Sequence, residues 1–327
     1  MTFTGADWSE SSIIESKELD RFFYETMDDG EENILIHGYS IKILDSGFNY
    51  SGLEEYLGDT FSDYVFPSKK KQELIDKGKS PAVRAQRKAG FSTDYQRDGN
   101  LGEFLLFLLV DGYFNIPMIS HKIIYKQNYK HEVYGSDNLF FGEFKEREHI
   151  GVGEAKVYGG VTNGVREAVN SISDFHNENS RRYMEQELSL APKNISQNLE
   201  EEQIDYLAEV MTGDGYSDYP IFHPVLICYG QEDLQGVEDV TKSVAEIEEE
   251  IDDVLEGEDY LSRVTNQVDQ GHHRLSRAHL LFLILPVADL DDFRKRMLTS
   301  IAPGIGPSIT TEEESKESDE LKREAES

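Results

Sequence analysis

The sequence predicts an α/β fold in which a mixed central sheet is flanked by helices, with an N-terminal α+β extension. Hydrophobic residues make up 38% of the 327 residues and aromatic residues 11%, which is enough to form a core. Segments with strand and helix patterns alternate between about residue 99 and residue 300. We therefore assign residues 99–300 to a single α/β core.

The N-terminal extension, residues 1–98, combines helical and strand patterns. Helical spacing of apolar residues covers 15–27, and again 50–66. Between these two segments, residues 33–44 alternate between apolar and polar side chains in the manner of strands.

A basic segment closes the extension. Residues 68–88 contain eight basic and two acidic residues, a local charge of +6 in a chain whose net charge is −32. Two interpretations remain open: a solvated loop and helix face, or a contact with the phosphate backbone of nucleic acid. The candidate DNA contacts, from 69–88 and from a later strand, are Lys69, Lys70, Lys71, Arg84, Arg87, Lys88, Lys122 and Lys126.

The core begins with a helix at 101–111 that is apolar nearly all round and is therefore expected to be buried. Alternating or continuous apolar runs predict the strands 117–128, 131–144, 149–159, 220–230 and 279–287. Helical spacing predicts the helices 161–188, 238–256 and 289–301. The acidic tail, residues 301–327, is expected to be disordered.

Composition restricts the class of protein. The charge of −32, from 32 basic and 64 acidic residues, is typical of a protein from a halophilic organism, although an ordinary acidic protein with a partner-binding tail is the alternative. A single cysteine excludes an internal disulfide and a cysteine-based zinc site. Without a signal peptide or a long apolar span, we expect a soluble cytoplasmic protein that does not bind membranes.

Charged side chains stand out within the predicted core elements. Glu154 and Lys156 lie two apart in the strand 149–159, so they project from the same face. Asp137 lies in a turn at the strand before it, and Glu103 lies in the first turn of the buried helix. The alternatives are an exposed ion pair for Glu154 and Lys156, and an interaction with the helix dipole for Glu103.

Carboxylates on adjacent strands suit a hard cation such as Mg²⁺ or Mn²⁺, which lowers the pKa of bound water and stabilises charge on phosphorus. A lysine beside them can orient or deprotonate the attacking water, or neutralise the phosphate. The pattern therefore predicts a Mg²⁺-dependent phosphodiester hydrolase, with Asp137, Glu154 and Glu103 as metal ligands and Lys156 as a catalytic residue.

The same residues carry a family resemblance. The stretches GSD at 135–137 and GEAK at 153–156 resemble the split motif of the PD-(D/E)xK nuclease superfamily, which implies a nuclease-like core. Asp137 matches its aspartate, Glu154 and Lys156 match its Glu-x-Lys, and Glu103 matches the helical glutamate of many members. Ser136 stands where the motif has proline.

The wider run from 99 to 178 resembles HamA, the nuclease-like subunit of the Hachiman anti-phage defence system. That resemblance implies a DNase that works with HamB, a superfamily 2 helicase. The chain contains no G-K-[ST] motif, so any ATP-driven step belongs to a partner. The alternatives are a free-standing restriction or repair nuclease, and a non-catalytic regulatory subunit with a nuclease fold.

Overall fold

The computed structural model describes most of the chain. The described residues are 7–91, 99–121, 123, 137–176, 199–212, 219–238, 241–270, 275 and 278–303. Lys122 and Lys126, two of the predicted DNA contacts, and nearly all of the acidic tail lie outside these residues.

Ten helices and nine strands are labelled here in chain order along the described residues. The helices are α1 (Ser16–Leu19), α2 (Tyr50–Val65), α3 (Ser68–Asp76), α4 (Pro81–Ala89), α5 (Asn100–Phe114), α6 (Val161–Phe175), α7 (Glu201–Thr212), α8 (Val244–Glu256), α9 (Tyr260–Asp269) and α10 (Leu290–Ile301). The strands are β1 (Phe23–Glu31), β2 (Ile34–Ile41), β3 (Ile43–Leu44), β4 (Gly47–Phe48), β5 (Met118–His121), β6 (Asn138–Phe144), β7 (Arg147–Tyr158), β8 (Ile221–Gly230) and β9 (His279–Val287). Short 3₁₀ turns occur at Trp8–Ser11 and Glu232–Gly236.

A seven-stranded mixed sheet forms the centre, with the strand order β1-β2-β9-β8-β7-β6-β5. The middle strands β2, β9, β8 and β7 are parallel, and β1, β6 and β5 pair antiparallel at the two edges. Helices cover both faces, so the predicted α/β fold with a mixed, helix-flanked sheet is confirmed.

The N-terminal residues contribute to this sheet directly. Strands β1 and β2 lie at one edge, where β2 pairs in parallel with β9. The helix predicted over 15–27 is wrong beyond its first turn, because Phe23 begins β1 and pairs with Ile41 of β2. Phe23 is fully buried, and this contact between distant segments overrides the local helical spacing.

Helix α5 is buried along almost its whole length, as its all-apolar sequence predicts. It packs with α2 and α10 on one face of the sheet, whereas α6 and α9 cover the other face. At Gly102 the helix approaches β7 so closely that an added Cβ would lie 2.9 Å from Cγ2 of Val157. The first turn of α5 is thereby held against the last residues of β7.

Candidate active site

Glu154 and Lys156 lie near the carboxyl end of β7. Their neighbours Ala155 and Val157 pack towards α5, so the two charged side chains project from the opposite face. Nζ of Lys156 lies 2.5 Å from Oε1 of Glu154. Both side chains are partly exposed, at 22% for Lys156 and 16% for Glu154, so the pair remains accessible from solvent.

Asp137 is placed against the same part of β7 by the start of β6. Its backbone N–H donates to the carbonyl oxygen of Gly153 at 3.2 Å. Its carboxylate oxygen Oδ2 accepts a hydrogen bond of 2.9 Å from the backbone N–H of Ala155. The Asp137 carboxylate thus accepts from the backbone N–H of Ala155, between Glu154 and Lys156, in the place where a neighbouring strand would offer a carbonyl oxygen.

The electrostatics of the site keep Lys156 protonated. Burial favours the neutral amine, but the neighbouring Glu154 carboxylate and then Asp137 outweigh it, so the pKa of Lys156 is raised. An ammonium group is therefore present at neutral pH. Of the roles that the sequence left open for this lysine, neutralising phosphate charge and orienting water fit this protonated state.

Glu103 lies on α5, on the face of the sheet opposite to Glu154 and Lys156. It is buried in the first turn of that helix, at 7% exposure. The carboxylates of Glu103 and Asp137 both act on Tyr64, whose pKa is raised by burial first and then by these two charges. Both carboxylates therefore lie near enough to the Tyr64 phenol to affect it.

The carboxylates of the site form a small donor set for a metal ion. Within the described residues, no three His, Cys, Asp or Glu side chains are grouped so that they could hold a metal ion together. Mg²⁺, however, is commonly bound through one or two carboxylates, with water and phosphate oxygens completing its shell. Asp137 and Glu154, which the bond to Ala155 places side by side along β7, fit this smaller set.

The basic segment folds as two short helices, α3 and α4, which we call the basic hairpin (residues 68–89). Ala85 and Ala89 are its buried residues. Lys71 forms an ion pair with Asp63 of α2, and the ammonium of Lys88 lies 5.5 Å from the ring centre of Phe66. The hairpin therefore lies against the carboxyl-terminal end of α2, the helix that also carries Tyr64.

The remaining basic residues of the hairpin face solvent. Among the predicted DNA contacts, the exposed ones are Lys69, Lys70, Arg84 and Arg87. Lys70 pairs with Glu73 within α3 at 3.0 Å, which lowers the local positive charge. The hairpin still presents a basic surface in an otherwise strongly acidic chain.

Two residues at the site were not predicted. Asn138, which follows Asp137, donates from Nδ2 to the carbonyl oxygen of Glu103 at 2.8 Å. Tyr64 donates from its hydroxyl to Oδ1 of Asn138 at 3.1 Å. The position of Asn138 next to Asp137 could have marked it as a site residue. No sequence pattern connects Tyr64 with residues so far along the chain.

The fold defines an α/β protein whose mixed, helix-flanked sheet is consistent with a nuclease-like core. Comparison with protein families matches residues 17–301 to HamA, and the chain belongs to the HamA family. It is accordingly a component of Hachiman anti-phage defence. A comparison with curated proteins found no match. No helix in the described part of the chain is both long and apolar enough to cross a membrane.

Proposed function

We propose that this protein is a metal-dependent DNA endonuclease and the effector subunit of its defence complex, working with the helicase HamB. The observation that carries the proposal is the hydrogen bond from Ala155 to Asp137, which aligns one carboxylate with Glu154 and Lys156. Structural ion pairs need no such third group, whereas a metal and phosphate site does.

Asp137 and Glu154 would hold Mg²⁺ or Mn²⁺, with Glu103 supporting the same site from α5. The bound metal supplies an acidified water and positive charge near the phosphorus. The ammonium of Lys156 attracts a non-bridging phosphate oxygen and holds the attacking water in line. Because Glu154 binds Lys156 at 2.5 Å, the same carboxylate also fixes the direction of the ammonium.

The charge of the chain bears on how it binds its DNA substrate and why it needs a partner. A net charge of −32 repels DNA, so the isolated subunit is expected to bind DNA weakly. The basic hairpin offers a local exception, and we propose that it contacts the DNA backbone. A helicase that consumes ATP and delivers DNA would overcome the remaining repulsion.

The test is plasmid cleavage at high salt with Mg²⁺, using this protein purified together with HamB. Wild type is compared with Lys156→Ala, and with Lys145→Ala as a control at an exposed lysine near the other end of β7. Lys156→Ala is expected to lower cleavage by roughly 10²–10³-fold, as when a transition-state donor is removed, and Lys145→Ala to leave it unchanged.

Equal cleavage by wild type and Lys156→Ala would place the chemistry elsewhere. If a folded, intact complex is inert under activating conditions, the subunit is a non-catalytic one. Cleavage by the isolated chain at the rate of the complex would instead indicate a free-standing nuclease.

A further inference from the structure

We infer that Asn138 is a positioning residue that locks Glu103 and Asp137 into one arrangement, with Tyr64 orienting its amide. The inference rests on the proposed function, because the arrangement it preserves is that of the proposed metal-binding carboxylates. Neither Asn138 nor Tyr64 would touch the metal or the substrate.

The orientation of the amide follows from its partners. Asn138 is completely buried, so its polar atoms must find hydrogen bonds inside the protein. The carbonyl oxygen of Glu103 can only accept, so it requires the Nδ2 group at 2.8 Å. Oδ1 is then left to accept from the Tyr64 hydroxyl at 3.1 Å.

The position of Asn138 in the sheet transmits this lock to Asp137. Asn138 is the first residue of β6 and lies opposite Gly153 of β7 on one side and His121 of β5 on the other. Asp137 precedes it directly and bonds to Gly153 and Ala155. A displacement of Asn138 therefore moves the Asp137 carboxylate along β7.

The same side chain holds the start of α5. Glu103 lies in the first turn of the helix, where its own N–H donates to the carbonyl oxygen of Gly99 at 3.2 Å. The bond from Asn138 to the Glu103 carbonyl oxygen ties that turn to β6. One amide thus sets the distance between the carboxylate on α5 and the carboxylate that precedes β6.

Tyr64 is held rigidly enough to orient that amide. Its ring is buried and lies 4.5 Å from His121, 5.3 Å from Phe104 and 5.4 Å from Phe107, measured between ring centres. Burial and the neighbouring carboxylates raise its pKa well above the usual range, so the hydroxyl keeps its proton and remains a donor. The network joins α2, α5 and β6 at one point.

The test measures direct binding of Mn²⁺ to the purified protein. The concentration of free Mn²⁺ is monitored by electron paramagnetic resonance. The variants are Asn138→Ala, Tyr64→Phe and Asp137→Asn. The matched control is Tyr229→Phe, which removes the buried hydrogen bond of 2.6 Å between Tyr229 and Tyr260 on the other face of the sheet.

Asn138→Ala and Tyr64→Phe are expected to weaken Mn²⁺ binding about 10- to 100-fold, as is common when a group that supports metal ligands is removed. Tyr229→Phe is expected to leave Mn²⁺ binding unchanged while lowering the melting temperature as much as Tyr64→Phe does. That difference separates a positioning role from a purely structural one. If Asn138→Ala does not fold, Tyr64→Phe carries the comparison.

The outcomes distinguish the inference from the proposed function. If Asp137→Asn abolishes Mn²⁺ binding and Tyr64→Phe binds like wild type, the positioning role is overturned while the metal site stands. If wild type and Asp137→Asn bind Mn²⁺ alike, the metal site itself is wrong, and the inference falls with it.

Discussion

At the level of single residues, the environment of Lys156 decides what the site can do. Two carboxylates next to a partly buried ammonium raise its pKa, so it stays charged over the physiological pH range. A permanently charged lysine serves phosphate chemistry through electrostatic attraction. Replacement by a neutral residue removes that charge and leaves Glu154 and Asp137 to repel the phosphate.

His223, on the same face of the sheet as Lys156, leads to a prediction about how stability depends on pH. His223 is buried, and its Nδ1 donates to the carbonyl oxygen of Val152 at 3.1 Å. Its Nε2 lies 2.8 Å from Nε2 of His176. Burial first, and then His176, lower its pKa to about 3. In the unfolded chain, histidine titrates near its ordinary pKa of 6.5.

The sign follows from proton uptake. Above the unfolded pKa both states are neutral at His223, and its contribution to stability is fully present. As pH falls from 6.5 towards 3, the unfolded state gains a proton that the folded state excludes, so stability is lost. His223→Asn can keep the bond to Val152 but does not titrate. We therefore expect its free energy of unfolding to fall less steeply with decreasing pH than that of wild type, by about 1.4 kcal/mol per pH unit.

Urea unfolding of wild type and His223→Asn, between about pH 6 and about pH 4, measures that slope. Other groups titrate in this range, including the buried Asp111, but those that do not contact His223 are common to both proteins and cancel in the difference. Parallel pH dependence in the two proteins would contradict the assignment of the loss to His223.

The candidate site was predictable only in part. Glu154 and Lys156 were predicted as site residues because charges within a strand-like segment are unusual and their spacing fixes which face they share, and the structure places Asp137, predicted in the preceding turn, next to Ala155 between them. Asn138 and Tyr64 were not, because their contact joins residues 74 positions apart. A polar residue in a helical pattern carries no mark of the partner it will meet across the core.

At the level of elements, long apolar runs were reliable and mixed segments were not. Strands β8 and β9 were predicted because each has several successive apolar residues, whereas β7 was predicted from apolar residues that alternate with glycine or charge. The two helices of the basic hairpin were not predicted as separate elements, since few apolar residues mark them and the segment was predicted only as a solvated loop and helix face or a nucleic-acid contact. Ser80 as the N-cap of α4, accepting from Val83, and Gly90 in a left-handed C-cap conformation define its second helix.

The basic hairpin leads to a prediction about DNA. Lys69, Lys79 and Arg84 are exposed on it. Replacing all three by glutamine is expected to weaken binding to duplex DNA and to flatten its salt dependence, because each lost phosphate contact removes about 0.9 from the slope of log K against log salt. Fluorescence anisotropy without divalent metal, over a range of KCl concentrations, gives both quantities.

The control variant replaces Lys17, Lys145 and Arg147 by glutamine, which removes the same charge from other exposed positions. Arg147 begins β7, seven residues or about 23 Å of strand from Glu154, and Lys145 lies in the turn before it. Only the hairpin variant should change the slope. Equal effects of the two variants would mean that DNA responds to total charge and does not contact the hairpin.

At the level of the whole molecule, acidity is the dominant feature. The charge of −32 is spread over most of the chain, and in α8 many carboxylates lie close together. Its side chain Asp252 has a raised pKa, because of burial first and then of Glu248, Glu256 and Asp253. Carboxylates crowded in this way repel one another and oppose folding when salt does not screen them.

We therefore expect the folded state to gain stability with salt. The Debye length falls from about 10 Å at ~0.1 M to about 3 Å at ~1 M salt, so raising KCl should raise the melting temperature. A variant of α8, with Glu249→Gln, Asp253→Asn and Glu256→Gln, isolates the cause. These exposed residues lie three or four apart on the helix.

Each like-charge pair at such spacing costs roughly 0.2–0.5 kcal/mol, so the variant should be more stable than wild type at low salt by up to about 1 kcal/mol. The two proteins should then converge near 1 M KCl, where screening is nearly complete over these distances. Thermal unfolding followed by circular dichroism measures both. A gain that persists unchanged at high salt would show that helix propensity is responsible, and a melting temperature that falls with KCl would contradict the adaptation to salt that the composition predicts.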